Sequence, residues 1–147
     1  GASSLFFALA LVFLPLFKPG AVGLQLINTS PVALKLTDSN LEVKENIEKA
    51  YSQLYPQPEL STENMAKHIG LHPRKLATLT KEFWGINHRQ MLNNFRLTEA
   101  ARLLEKTQNP VGEIALKVGF SNISHFNRTF KTEYQMSPLQ FRKEKLS

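Results

Sequence analysis

From Leu41 onward the apolar residues of this chain recur with a helical period, and one short arrangement is written twice. Met65-Ala66-Lys67-His68-Ile69-Gly70-Leu71 returns forty-nine residues on as Ile114-Ala115-Leu116-Lys117-Val118-Gly119-Phe120. Each copy reads apolar, Ala, two intervening residues, β-branched, Gly, apolar. Each is followed by a second helical stretch ending in lysine, Leu76 to Lys81 and Phe126 to Lys131. A small Ala lets two helices approach closely, and Gly adopts the left-handed dihedrals of a tight turn without a Cβ penalty. Helix, Gly turn, second helix is the order of a helix-turn-helix, and two copies in register point to a reader of DNA. The first unit is expected over 62–84 and the second over 110–134.

The pattern around the repeats supplies the remaining helices. Val43, Ile47, Ala50 and Leu54 mark one face of a helix that Pro56 stops, with Glu45 and Lys49 as a favourable i, i+4 pair. Ser61 is the expected N-cap for Thr62 to Ile69, and Pro73 suits a first helical turn with His72 before it as a weak cap. Asn87 opens the longest helix, 88–105, in which Met91, Leu92, Phe95, Leu97, Ala100, Ala101, Leu103 and Leu104 cover more than one face. A helix apolar on several sides must touch partners on several sides, so this one is expected as a strut clamped between the repeats. Its length is about 27 Å, and with the flanking turns it sets two reading helices roughly 34 Å apart, one turn of B-DNA. Pro110 starts the second unit, Ser121 and Asn122 cap its reading helix, and Ser137-Pro138 opens a last short helix carrying Phe141. The expected fold is all-α: two helix-turn-helix subdomains joined by a long linker helix, about seven helices in all.

The first forty residues differ in kind. Leu5 to Phe17 has no charge and no hydrogen-bonding side chain, and Lys18 follows at once. As a helix this run reaches about 20 Å, short of a bilayer core of about 30 Å. The inner end of a transmembrane helix, with Lys18 as its cytoplasmic flank, is the reading adopted for residues 1–18. A buried or dimer-packing helix and a signal-peptide core are its rivals. Residues 19–40, with Pro19, Gly20, Gly23 and Pro31, read as linker, and the alternation of Val32, Leu34 and Leu36 suggests a short strand within it. The DNA-binding domain is then 41–147.

Charge agrees with a polyanionic partner without requiring one. The formal net charge is +6, and beyond residue 40 sixteen Lys/Arg face eleven Asp/Glu. The absence of cysteine removes disulfides, thiolate metal sites and thiol nucleophiles. His68 and His72 have a metal-ligand spacing, but Gly70 breaks the helix that would align them, so no metal and no cofactor are expected. No Gly-rich phosphate cradle or activated serine appears, and an enzyme is not expected.

Helical geometry also sorts the reading helices. On the second, Phe126 and Phe130 share the inner face, while Ser124, Arg128 and Lys131 lie opposite with Asn127 at the edge. Arg128 is fitted for bidentate hydrogen bonds to guanine, worth about 1–3 kcal/mol of discrimination. Ser124 and Asn127 are further candidate base readers. Ile123 either meets a thymine methyl or turns into the core. Lys131 is a candidate phosphate contact. On the first, Leu76, Leu79 and Phe83 point inward, leaving Arg74 and Thr78 as candidate base readers and Lys81 as a phosphate contact. Arg89, Arg96 and Arg102 on the strut are either phosphate contacts or internally paired, and Arg142 in the basic tail is a third candidate phosphate contact.

Residues 41–147 resemble the C-terminal DNA-binding domain of AraC/XylS-type transcription regulators. The resemblance is carried by Glu113-Ile114-Ala115, Val118-Gly119-Phe120-Ser121-Asn122, Phe126, Arg128, Phe130-Lys131, Ser137-Pro138 and Phe141-Arg142, and on the strut by Phe95-Arg96-Leu97 with Ala100, Leu103 and Leu104. It implies a transcription regulator that reads asymmetric double-stranded DNA. It also implies RNA polymerase as a second partner, a homodimer in the full-length protein, and, for members whose domain follows membrane helices, a tether to the bacterial inner membrane. Two departures stand out: Thr80 where the family usually buries Phe, and Gln135 where it usually has Gly. The rival to DNA reading is a helix-turn-helix domain reused as a protein-interaction module.

Overall fold

The computed structural model describes residues 31–146, with side chains from residue 39. The expected membrane segment 1–18, and the linker as far as residue 30, lie outside the described residues. Among the described residues the chain is wholly helical: α1 Pro31–Leu54, α2 Thr62–Ile69, α3 Pro73–Trp84, α4 His88–Lys106, α5 Val111–Lys117, α6 Ile123–Tyr134 and α7 Pro138–Leu146. No helix among them is long and apolar enough to cross a membrane.

The caps explain where most helices start. Ser61 accepts from the Asn64 N–H, Asn122 from the His125 N–H, and His72 Nδ1 from the Arg74 N–H at 3.3 Å. Asn87 and Gln90 form a full capping box at the head of α4. Residues 31–40 correct the expected linker and short strand, because α1 runs unbroken from Pro31. Proline at a first helical position costs no hydrogen bond, and the positions that alternate as a strand include Val32 and Leu36, four apart, which suits a helix equally well.

The repeated heptapeptides fold alike. Leu71 N–H reaches back to Ala66 O at 2.8 Å and Phe120 N–H to Ala115 O at 3.0 Å, while Gly70 and Gly119 take φ of 76° and 100°. This is the six-to-one bond that closes a helix on a left-handed residue, made at equivalent places in both units.

The strut α4 is buried on several sides, as its pattern requires: Met91, Leu92, Phe95, Leu97, Ala100, Ala101, Leu103 and Leu104 are all inside. It packs against α3, α5 and α7. Around its second half the core is a chain of aromatic rings, with Phe126 lying 5.2 Å from Phe120 and 5.6 Å from Phe130. Phe130 in turn lies 5.4 Å from Phe141, which pins α7 to the body. In the first unit Thr80 is fully buried and donates its hydroxyl to Leu76 O and Ala77 O, so the helix itself satisfies the polar group. Phe83 and Trp84 stack edge-to-face beside it, with Lys44 of α1 over the Trp84 ring.

Candidate nucleic-acid interface

Each reading helix presents one polar, charged face. On α3 the inner positions Leu76 and Leu79 are buried, and Arg74, Thr78 and Lys81 are exposed. Thr78 donates its hydroxyl to Arg74 O, which leaves its lone pairs outward. On α6 Phe126 and Phe130 are fully buried, and Ser124, Asn127, Arg128 and Lys131 are exposed. Among the described residues Arg74, Lys81, Arg128 and Lys131 have no carboxylate partner. Cations without counter-ions on one face of a helix leave room for an anion.

Ile123 does not turn into the core. It is 43% exposed, and its Cδ1 lies over Gly112 of α5, only 3.1 Å from where a Cβ on that glycine would stand. Gly112 thus seats the side chain while its outer surface stays open.

The other arginines divide by partner. Arg96 is almost wholly buried and donates to Tyr55 O at 2.8 Å, Gln57 O at 2.6 Å and Pro58 O at 3.4 Å, with its guanidinium 5.6 Å over the Phe120 ring. It is a structural tie between the loop after α1 and the turn of the second unit, and burial holds its pKa below the usual guanidinium value. Arg102 makes a two-pronged pair with Glu99. Arg142, expected at a phosphate, is half-buried and donates to the carbonyls of Leu104 and Asn109, tying α7 to the end of α4. Arg89 stands exposed at the head of α4.

Gly119 was legible as a turn glycine but not as a packing site. A Cβ there would stand 2.6 Å from Tyr55 O and 2.9 Å from both Pro56 O and Arg96 Nε. The turn of the second unit therefore closes directly on the backbone that leads into the first. His88 joins the same region: Tyr51 donates its hydroxyl to Nδ1 at 2.6 Å, and Nε2–H donates to Leu60 O at 3.0 Å. Sequence reasoning passed over both roles, because they depend on residues far away along the chain, 28 and 37 positions for His88 and the Tyr55–Pro56 backbone for Gly119.

Two helix-turn-helix units on a common strut, each with an unpaired cationic face, define the class of helix-turn-helix domains found in transcription regulators. A family model described as "Helix-turn-helix domain" matches residues 65–144, and the chain belongs to the AraC-type family of that class. It is 36% identical over 89 residues to the HTH-type transcriptional regulator MtrA of Neisseria gonorrhoeae, covering 60% of this chain and 30% of that protein. It is 31% identical over 104 residues to the HTH-type transcriptional activator RhaS of Salmonella schwarzengrund, covering 71% and 37% respectively. The chain thus spans about a third of the length of these curated relatives. Among solved structures, the C-terminal domain of the response regulator yesN from Fusobacterium nucleatum superposes with a TM-score of 0.65 at 29% identity, over 69% of this chain and 98% of that one. The DNA-binding domain of AdpA, solved in complex with a target DNA, shares the fold with a TM-score of 0.62 at 24% identity, over 69% and 90%.

Proposed function

We propose that this chain is the DNA-reading part of a transcription regulator that engages two successive major-groove segments with α3 and α6. The observation that carries the reading is the pair of outward faces, each with cations that have no carboxylate partner among the described residues. Family membership and the relatives' naming as transcriptional regulators support it. In this reading Arg128, Ser124, Asn127 and Ile123 meet base edges in one groove, and Arg74 and Thr78 do so in the next. Lys131 and Lys81 neutralise phosphates. Arg142 works as a tie between helices, since backbone carbonyls hold its guanidinium.

The wider reading adds a tether to the bacterial inner membrane through residues 1–18, self-pairing of the full-length protein and contact with RNA polymerase. The uncharged run Leu5–Phe17 with Lys18 behind it supports the tether, and fractionation of cells making the full-length protein tests it. Wholly soluble recovery with an intact N-terminus would remove the tether.

To test the central reading, the chain is incubated with a pool of random duplexes near physiological salt and the retained DNA is sequenced. Two short motifs about one helical turn apart are the expected result. Retention without enrichment would overturn sequence reading and leave a backbone binder. No retention would favour the protein-interaction module.

A further inference from the structure

Between the two helix-turn-helix units lies a crevice of about 420 Å³ that the outer faces of α3 and α6 do not use. Ser61 before α2, His88 and Arg89 on α4, and Ser121 and His125 at the head of α6 are among the residues lining it. His125 sits one helical turn before Arg128, so the two side chains are neighbours on the helix surface. Its ring stands edge-on to Phe120 at 5.7 Å, with the Thr129 hydroxyl 3.5 Å from Nδ1. His125 therefore lines the crevice while its neighbour Arg128 stands on the face of α6 assigned to bases.

The charges around this ring are one-sided. Arg89 and Arg96 of α4 and Arg128 of α6 all act on it, and together with burial, the largest cause, they hold the imidazole below its ordinary pKa. Arg96 is tied to three carbonyls, but Arg89 and Arg128 are exposed and have no carboxylate partner among the described residues. Glu59 and Glu63 also line the crevice, and the charges that act on the His125 ring are those of the three arginines. Glu63 is held by its own backbone N–H and by the Ser61 hydroxyl and faces His88, while Glu59 acts on Arg96. A cluster of like charges left without a counter-ion costs free energy in the isolated protein, and a polyanion supplies what it lacks.

We propose that Arg89 and His125 form a proton-linked clamp on the DNA phosphate backbone where it passes between the two major-groove segments. The clamp rests on the DNA reading proposed above. The occupant is a phosphodiester of the bound duplex rather than a free anion, because Arg128, the third member of the cluster, belongs to the reading face itself. With no DNA, burial and then the neighbouring guanidiniums disfavour the imidazolium. A phosphate between Arg89 and His125 favours the imidazolium, so binding takes up a proton. Affinity then rises as pH falls through the bound-state pKa, and levels off below the pKa of the free protein, where both states carry the proton.

The full chain is titrated with its selected duplex at several salt concentrations between about pH 8 and pH 6. Wild type should gain about three- to tenfold in affinity over that interval. His125→Gln should lose the gain and keep the base preferences. The substitution spares the helix cap, which uses the His125 backbone N–H. Arg89→Ala should lower the slope of log affinity against log salt by about 0.9 without changing the selected motif. Thermal melts establish that both variants are folded. A wild-type pH response in His125→Gln, or a full salt slope in Arg89→Ala, overturns the clamp while duplex binding by wild type stands. Wild type that binds no duplex at any pH would remove the DNA reading, and the clamp with it.

Discussion

Arg128 and Lys131 share one exposed face of α6, three residues apart, yet their chemistry separates them. A guanidinium offers a planar fork that matches guanine O6 and N7, whereas an ammonium is a point charge suited to phosphate. Arg128→Ala should therefore cost about 1–3 kcal/mol on the selected duplex and relax preference at one base position. Lys131→Ala should weaken all duplexes alike and reduce the salt slope by about one unit. Binding isotherms on matched and scrambled duplexes check both, and identical behaviour of the two variants would refute the division. Gln135 is a residue-scale feature of another kind. It holds φ at 59°, alone among the described non-glycine residues in taking a positive value, and its side chain donates to Thr132 O at 2.7 Å. The departure noticed in the sequence thus falls where left-handed backbone is required. Gln135→Gly should stabilise the domain by up to about 1 kcal/mol, read as a higher denaturant midpoint.

At the scale of the element, the two copies of the repeat look interchangeable in sequence and are not so in structure. Gly70 and Gly119 both close a helix with a positive φ. Around Gly70 a Cβ would meet nothing within 4 Å, but at Gly119 it would collide with two backbone carbonyls and the Arg96 guanidinium. Gly70→Ala should cost about 1 kcal/mol, the dihedral strain alone. Gly119→Ala should cost about 2–4 kcal/mol, because overpacking is added to strain. Parallel urea titrations check the difference, and equal losses would contradict it. All seven helices among the described residues were legible because caps, turn glycines and apolar spacing are local signals. The start of α1 was not: Val32, Leu34 and Leu36 fit a strand as well as a helix, and the unbroken helix from Pro31 decides between them.

For the molecule as a whole, α4 couples the subdomains through Arg96 as well as through its apolar faces. The guanidinium bridges carbonyls of Tyr55, Gln57 and Pro58 to the Phe120 ring. Arg96→Ala should cost about 1.5–3 kcal/mol, since hydrogen bonds from a charged donor to buried carbonyls are lost together. Arg96→Lys should recover less than half, because one ammonium cannot reproduce the fork. Denaturant midpoints of the two variants decide this, and full recovery by Lys would show that charge alone suffices.

By itself the sequence determined the two repeats, the strut, the inward faces of α3 and α6 and the family. The elements and faces are written in spacings of three, four and seven along one helix, or in a cap and a turn glycine beside it, and the family in the motif residues that resemble it. Only the tertiary structure decided which cations remain free. Arg96, Arg102, Arg128 and Arg142 are alike in sequence as basic residues on helices, and their fates diverge. Backbone carbonyls lying 33 to 41 positions away hold Arg96 and Arg142, a carboxylate one turn back pairs with Arg102, and Arg128 is left outward. The same holds for Ile123, seated over a glycine of a different helix. Local periodicity tells which way a side chain leaves its helix, but what it meets there depends on elements that packing alone brings beside it.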